Sequence, residues 1–90
     1  MIIHKDITVY GRVQGVGFRF STRDAARAYA IRGFVMNLAD GSVYIEAEGP
    51  EYNVNQFVAW CRQGPSHALV DKLEVSNGTV KNYKTFDIRI

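Results

Sequence analysis

Hydrophobic and polar positions alternate along the first part of the chain, and this alternation predicts a β-strand over residues 5–12. Ile7, Val9 and Gly11 share one side of the pattern, because successive residues of a strand point to opposite faces of a sheet. Similar patterns and one short apolar run predict further strands over residues 34–38, 42–48, 68–75 and 86–90.

Apolar residues at steps of three and four predict two helices between these strands. The first is predicted to start near Ser21, because Ser21 and Asp24 have the spacing of a capping box. Arg32 followed by Gly33 has the pattern of a basic last turn and a C-terminal glycine, which predicts its end. The second lies between Gly49-Pro50 and Gly64-Pro65, and its apolar stripe is Val54, Phe57, Val58 and Cys61.

The predicted order is strand, helix, strand, strand, helix, strand, with an extra strand at the C-terminal end. Asp40-Gly41 predicts a hairpin between the second and third strands. This order favours an α+β, ferredoxin-like βαββαβ sandwich, in which two helices cover one face of a mainly antiparallel sheet. A chain of 90 residues predicts a single domain, residues 1–90.

The composition is that of a soluble globular domain, with 47% hydrophobic and 22% charged residues. A net charge of +2 is too small to indicate a nucleic-acid partner, and no apolar run approaches the roughly 20 residues of a membrane span. The one cysteine, Cys61, cannot form an internal disulfide. We therefore expect a cytoplasmic monomer without a nucleic-acid or membrane partner.

Two closely spaced glycines followed by an arginine are the first candidate for chemistry. Gly15 and Gly17 lie between a predicted strand and a predicted helix, and Arg19 follows them. Backbone N–H groups of such a turn can converge on an anion, and the positive end of the helix dipole points to the same place. A guanidinium adds paired donors suited to phosphate. The segment predicts a small phosphate or carboxylate site.

Other polar residues give weaker signals. Asn37 ends the second predicted strand, and its amide could hold a water in a fixed orientation, although asparagine is also common at strand ends. His4 and His67 have no carboxylate at ligand spacing, so both are expected at the surface and no metal site is expected. Glu46 and Glu48 are expected to point outward into solvent.

Two stretches of the chain resemble the signatures of the acylphosphatase family. They are Gly11-Arg12-Val13-Gln14-Gly15-Val16-Gly17-Phe18-Arg19 and Gly33-Phe34-Val35-Met36-Asn37-Leu38-Ala39-Asp40-Gly41-Ser42-Val43. Gly64-Pro65 and Phe86-Asp87-Ile88 are also similar to the family, so the resemblance covers essentially the whole chain.

The resemblance implies metal-free and cofactor-free hydrolysis of an acyl phosphate to a carboxylate and inorganic phosphate. It implies that Arg19 binds the phosphoryl group together with the backbone of Gly15, Val16, Gly17 and Phe18. It also implies that Asn37 positions the attacking water.

Two alternatives stay open. Arg32-Gly33-Phe34 resembles the start of an RNA-recognition motif, although Val35-Met36-Asn37 supplies no second aromatic residue. The chain is also similar to the acylphosphatase-like module of larger carbamoyl-transfer proteins, which implies carbamoyl phosphate as another substrate.

Overall fold

A computed structural model describes all 90 residues of the chain, and it confirms the α+β, ferredoxin-like architecture. Two helices pack against a five-stranded mixed sheet of order β4-β1-β3-β2-β5. The elements, in chain order, are β1 (Ile2–Arg12), α1 (Phe18–Ala28), β2 (Arg32–Asn37), β3 (Val43–Pro50), α2 (Glu51–Gln63), β4 (Leu69–Asn77) and β5 (Phe86–Arg89). Every pairing is antiparallel except that of β2 with β5.

The core lies between the helices and one face of the sheet. The inward positions predicted for β1 and β3 are fully buried there, except Gly11, which is exposed at the end of β1. Phe57 of α2 belongs to the same buried cluster. Cys61 is also buried in this core, where burial raises the pKa of its thiol. The role of Cys61 is therefore packing, as expected from its apolar stripe.

The first helix begins one turn earlier than the prediction from Ser21. Its N-cap is Gly17, which has a left-handed backbone conformation at φ 76°, and no side chain caps the helix. The Ser21 N–H donates to the Gly17 carbonyl, 3.1 Å away, so Ser21 lies within the first turn. A glycine suits this cap because the left-handed region costs it no steric strain.

The end predicted for this helix, at Arg32 and Gly33, is also wrong. The helix ends at Ala28, and both residues instead start β2. Gly33 has φ 146°, and a Cβ at this position would lie 1.8 Å from the Glu46 carbonyl oxygen. The glycine is therefore needed for close approach of β2 to β3, and not to stop a helix.

The sheet face opposite the helices is covered by the segment between β4 and β5, residues 78–85. The expectation that Glu46 and Glu48 point into solvent is wrong, since they are only 6% and 2% exposed. His4, expected at the surface, is 2% exposed beside them, whereas His67 is exposed as expected. Strand alternation places these residues away from the helices, but the covering segment buries them.

Candidate active site

The candidate site lies at the end of the sheet where β1 leads into α1 and where β2 ends. A small cavity of about 120 Å³ opens there. Its lining residues are Val13, Gly15, Gly17, Phe18, Arg19, Phe20 and Asn37. The structure thus brings Asn37 of β2 next to the glycines and the arginine that the sequence singled out in the turn before α1.

Left-handed glycines shape the turn on one side of this cavity. Gly15 and Gly17 have φ angles of 75° and 76°, and nothing lies within 4 Å of the position where a Cβ would be. An L-residue is strained at such angles, and a side chain would extend into the open space. The two glycines therefore leave the backbone accessible to a ligand.

The N-terminus of α1 faces the same region without a capping group. The helix has no side-chain cap and no acidic residue in its first turn. The Gly15, Val16 and Gly17 N–H groups donate to no other backbone group. Free N–H groups and the helix dipole together favour an anion at this place.

Arg19 is the cationic side chain of the cavity. It is half-buried, and it belongs to none of the ion pairs of the chain. A cation in the first turn is unfavourable next to the positive end of a helix dipole. Because the Arg19 guanidinium has no ion-pair partner in the chain, it is available to an external anion. A bound anion would offset the unfavourable interaction of Arg19 with the helix dipole.

The side chain of Phe18 anchors the helix start and does not contribute chemistry. It is 2% exposed, and its ring lies 5.9 Å from the Trp60 ring, centroid to centroid. Val16, also predicted to bind phosphate, is not among the lining residues, and its side chain packs on the core. Only the backbone of Val16 can therefore serve the site.

Asn37 is the last residue of β2 and lies opposite Val43 of β3. Residues 38–42 connect these strands, so the predicted hairpin is present. Within it, Asp40 accepts hydrogen bonds from the Ser42 N–H and hydroxyl at 2.9 and 2.5 Å. These bonds, the hydroxyl bond first, lower the pKa of the Asp40 carboxyl.

Gln14 joins the two halves of the site, a role that the sequence reasoning missed. Its Nε2 donates to the carbonyls of Leu38 and Ser42, both at 2.8 Å. One amide group thus ties the turn before Arg19 to the loop after Asn37. The only sequence signal was a polar residue inside an otherwise apolar and glycine-rich turn.

A second polar cluster lies on the sheet face opposite the helices. The His4 Nδ1 lies 2.7 Å from Glu48, and its Nε2 lies 2.8 Å from Asp6 and 3.4 Å from Glu46. His4, Asp6 and Glu46 are close enough together to share a metal ion. Glu46, however, already accepts hydrogen bonds from Lys81, Tyr83 and Tyr44.

The electrostatics of Glu46 fit a structural role for this cluster. Burial alone raises the pKa of its carboxyl, but the bonds from Tyr83, Lys81 and Tyr44 outweigh burial and lower the pKa from 4.5 to about 2. The Lys81 ammonium, 2.9 Å from Glu46, supplies the positive charge that a metal ion would bring. The cluster holds residues 78–85 on the sheet and does not face the candidate site.

The largest cavity of the chain, about 580 Å³, contains none of the predicted site residues. It lies where β2 and β5 begin, and Arg27, Arg32 and Phe86 are among its lining residues. The chemistry predicted from the sequence therefore lies in a small cavity and not in the largest one.

Comparisons with known proteins give one family. The family model described as acylphosphatase matches residues 5–88. An acylphosphatase of Archaeoglobus fulgidus is 44% identical over 87 residues, which are 97% of this chain and 98% of that relative. No helix of the chain is long and apolar enough to cross a membrane.

Solved structures of acylphosphatases are also similar to the chain. A crystal structure of acylphosphatase from Bacillus subtilis has a TM-score of 0.95 and 35% identity, with 100% of both chains covered. Full-length HypF, in its phosphate- and nucleotide-bound form, matches with a TM-score of 0.89 and 34% identity. That match covers 99% of this chain but only 12% of HypF.

Proposed function

We propose a mechanism of acyl phosphate hydrolysis for this chain, which belongs to the acylphosphatase family of acid-anhydride hydrolases. Arg19 and the backbone N–H groups of residues 15–18 bind the phosphoryl group. Asn37 orients the water that attacks phosphorus. The products are a carboxylate and inorganic phosphate, and neither a metal ion nor a cofactor takes part.

The phosphoryl group is the part of the substrate that fits the cavity between the glycine turn and Arg19. Phosphoryl transfer passes through a loose transition state with charge on three equatorial oxygens. Preorganised N–H donors and a guanidinium stabilise that charge where it develops. The observation that carries this proposal is the shared cavity of Gly15, Gly17, Arg19 and Asn37.

Asn37 has the chemistry to position a water molecule, since its amide has both donors and an acceptor. It cannot remove a proton at neutral pH, and no histidine or carboxylate lines the cavity. We propose that a phosphate oxygen of the substrate accepts the proton of the water. The leaving carboxylate, whose conjugate acid has a pKa of about 4, needs no general acid. Positioning and charge stabilisation then supply most of the rate enhancement.

The test is turnover of benzoyl phosphate in EDTA, with inorganic phosphate as competitive inhibitor. Arg19→Ala should abolish turnover and weaken phosphate inhibition, because it removes the only guanidinium of the cavity. Asn37→Ala should lower kcat by about 100-fold or more, by analogy with the loss of one preorganised donor, and leave phosphate inhibition within about threefold. Arg62→Ala, on the exposed side of α2, is the matched control and should behave like the parent.

Two outcomes would contradict the assignment of these roles. One is full activity of both site variants with benzoyl phosphate. The other is rapid hydrolysis of p-nitrophenyl phosphate at the same site, because a phosphomonoester has a poorer leaving group. Acetyl and carbamoyl phosphate, assayed alongside, separate a general acyl phosphate substrate from the carbamoyl phosphate that the larger carbamoyl-transfer proteins suggest.

We propose further that the enzyme is a cytoplasmic monomer with a single domain, residues 1–90. One hydrophobic cluster forms the core, and its buried thiol is unpaired. Light scattering tests the oligomeric state, and a dimer at micromolar concentration would contradict the proposed monomer.

An RNA-binding role would require salt-sensitive binding of RNA. Phe34, from the RNA-like stretch, is only 4% exposed, so it cannot stack on a base.

A further inference from the structure

Phe20 is a large apolar side chain exposed at the rim of the candidate site. It follows Arg19 in the first turn of α1 and lines the same cavity. Its exposed fraction is 60%, whereas that of Phe18, two residues earlier, is 2%. Phe20 does not belong to the hydrophobic core, so packing of the fold does not account for an aromatic residue at this position.

The size of the cavity determines which part of a substrate meets this ring. A volume of about 120 Å³ is smaller than the roughly 150 Å³ of a protein cavity that holds one benzene molecule. A phosphoryl group and the attacking water fill such a space. The acyl group must therefore extend out of the cavity, and Phe20 lies at its rim.

Arg23 supports the Phe20 ring from the next turn of the helix. The centre of its guanidinium lies 5.3 Å from the ring centroid, within the range of a cation–π contact. The Arg23 Nε is buried without a hydrogen-bond partner, and the guanidinium also lies 3.7 Å from the Asp24 carboxylate. The contact restrains the ring while most of its surface stays exposed.

We infer that Phe20 contacts the acyl group of the substrate, and that it gives the enzyme a preference for aromatic and bulky apolar acyl phosphates over acetyl phosphate. This inference rests on the proposed function, since it assumes that the phosphoryl group occupies the cavity. The ring removes apolar surface of the substrate from water and stacks on an aromatic acyl group.

The experiment compares kcat/KM for benzoyl and acetyl phosphate in the parent, Phe20→Ala, Phe20→Leu and Phe20→Tyr. An aromatic contact of ordinary strength corresponds to about a 3–10-fold effect. Phe20→Ala should lower kcat/KM for benzoyl phosphate by that factor, and for acetyl phosphate by no more than about twofold. Phe20→Leu should show an intermediate loss, and Phe20→Tyr should retain the ratio of the parent. Tyr52→Ala removes an aromatic ring that is 72% exposed on α2, and it should leave the ratio unchanged.

Three results would overturn the inference. An equal loss with both substrates would mean that Phe20 acts through the phosphate site, and no loss with either would mean that the ring faces only solvent. A ratio that Phe20→Tyr fails to retain would exclude stacking. The inference fails alone if the ratio does not respond while Arg19→Ala abolishes turnover and Asn37→Ala lowers kcat as expected. The proposed function fails if those two variants keep the activity of the parent, whatever the ratio does.

Discussion

Replacement of Glu48 by glutamine should destabilise the fold without touching the candidate site. The Glu48 side chain is 3% exposed, and its two oxygens accept three hydrogen bonds. The donors are the His4 ring at 2.7 Å, the Tyr83 N–H at 3.1 Å and the Lys81 N–H. Burial alone raises the pKa of this carboxyl, but these bonds, with that from the Lys81 N–H first, lower it overall. The carboxylate therefore ties residues 81–83 to the sheet.

The size of the expected loss of stability follows from the number of hydrogen-bond donors that face Glu48. A glutamine amide offers one oxygen in place of two, so at least one donor faces an N–H₂ group, which costs about 1–3 kcal/mol when buried. The bonds that remain lose their charge-assisted character, at about 1 kcal/mol each. Because residues 81–83 lie partly at the surface and water can reach them, we expect a total loss of about 2–4 kcal/mol in the free energy of unfolding.

Urea unfolding followed by circular dichroism measures this loss. With a slope of about 1 kcal/mol per molar urea for a small protein, the midpoint should fall by about 2–4 M. Asp71→Asn is the matched control, since it removes one negative charge from an exposed position of β4. The control should change the free energy of unfolding by less than about 0.5 kcal/mol. If Glu48→Gln behaves like this control, the buried network does not hold residues 78–85 in place.

Two further predictions concern the site and the pH dependence. Gln14→Leu removes both hydrogen bonds to the Leu38 and Ser42 carbonyls. The kcat for benzoyl phosphate should then fall by about 10-fold or more, with a smaller change in inhibition by phosphate. An equal change in kcat and in phosphate inhibition would refute a role of Gln14 in positioning Asn37. The pKa of Glu46 is lower in the folded state, about 2 against 4.5. The ionised Glu46 carboxylate therefore stabilises the fold fully above about pH 4.5, and this stabilisation is lost as the pH falls toward 2. At about 1.4 kcal/mol per pKa unit, Glu46→Gln should flatten the acid limb of the stability profile by up to about 3 kcal/mol, and an unchanged limb would contradict the low pKa.

The order of strands and helices was predictable because each element carries its own local signal. These local signals lie within short segments of the chain: the alternation in β1 and β3, the Asp40-Gly41 hairpin and the apolar stripe of α2. The start of α1 was not predictable in this way. Its cap is the backbone of Gly17, whereas Ser21 and Asp24 only imitate the spacing of a side-chain cap.

The buried charges could not be predicted because alternation reports only which side of a strand a residue occupies. Glu46 and Glu48 do point away from the helices, as their positions in the pattern require. Their burial depends on residues 78–85, which lack a periodic pattern and cross the sheet through long-range contacts. The bonds of Gln14 span 24 and 28 residues, so no local pattern could indicate them either.

The strand order has a consequence for association between molecules. β2, which carries Asn37, is paired on both sides, so its backbone cannot template another chain. The exposed edges are β4 and β5. β5 has four residues, and β4 presents the exposed charges of Asp71, Lys72 and Glu74. A short edge and a charged edge both discourage edge-to-edge aggregation, which protects the strand on which the chemistry depends.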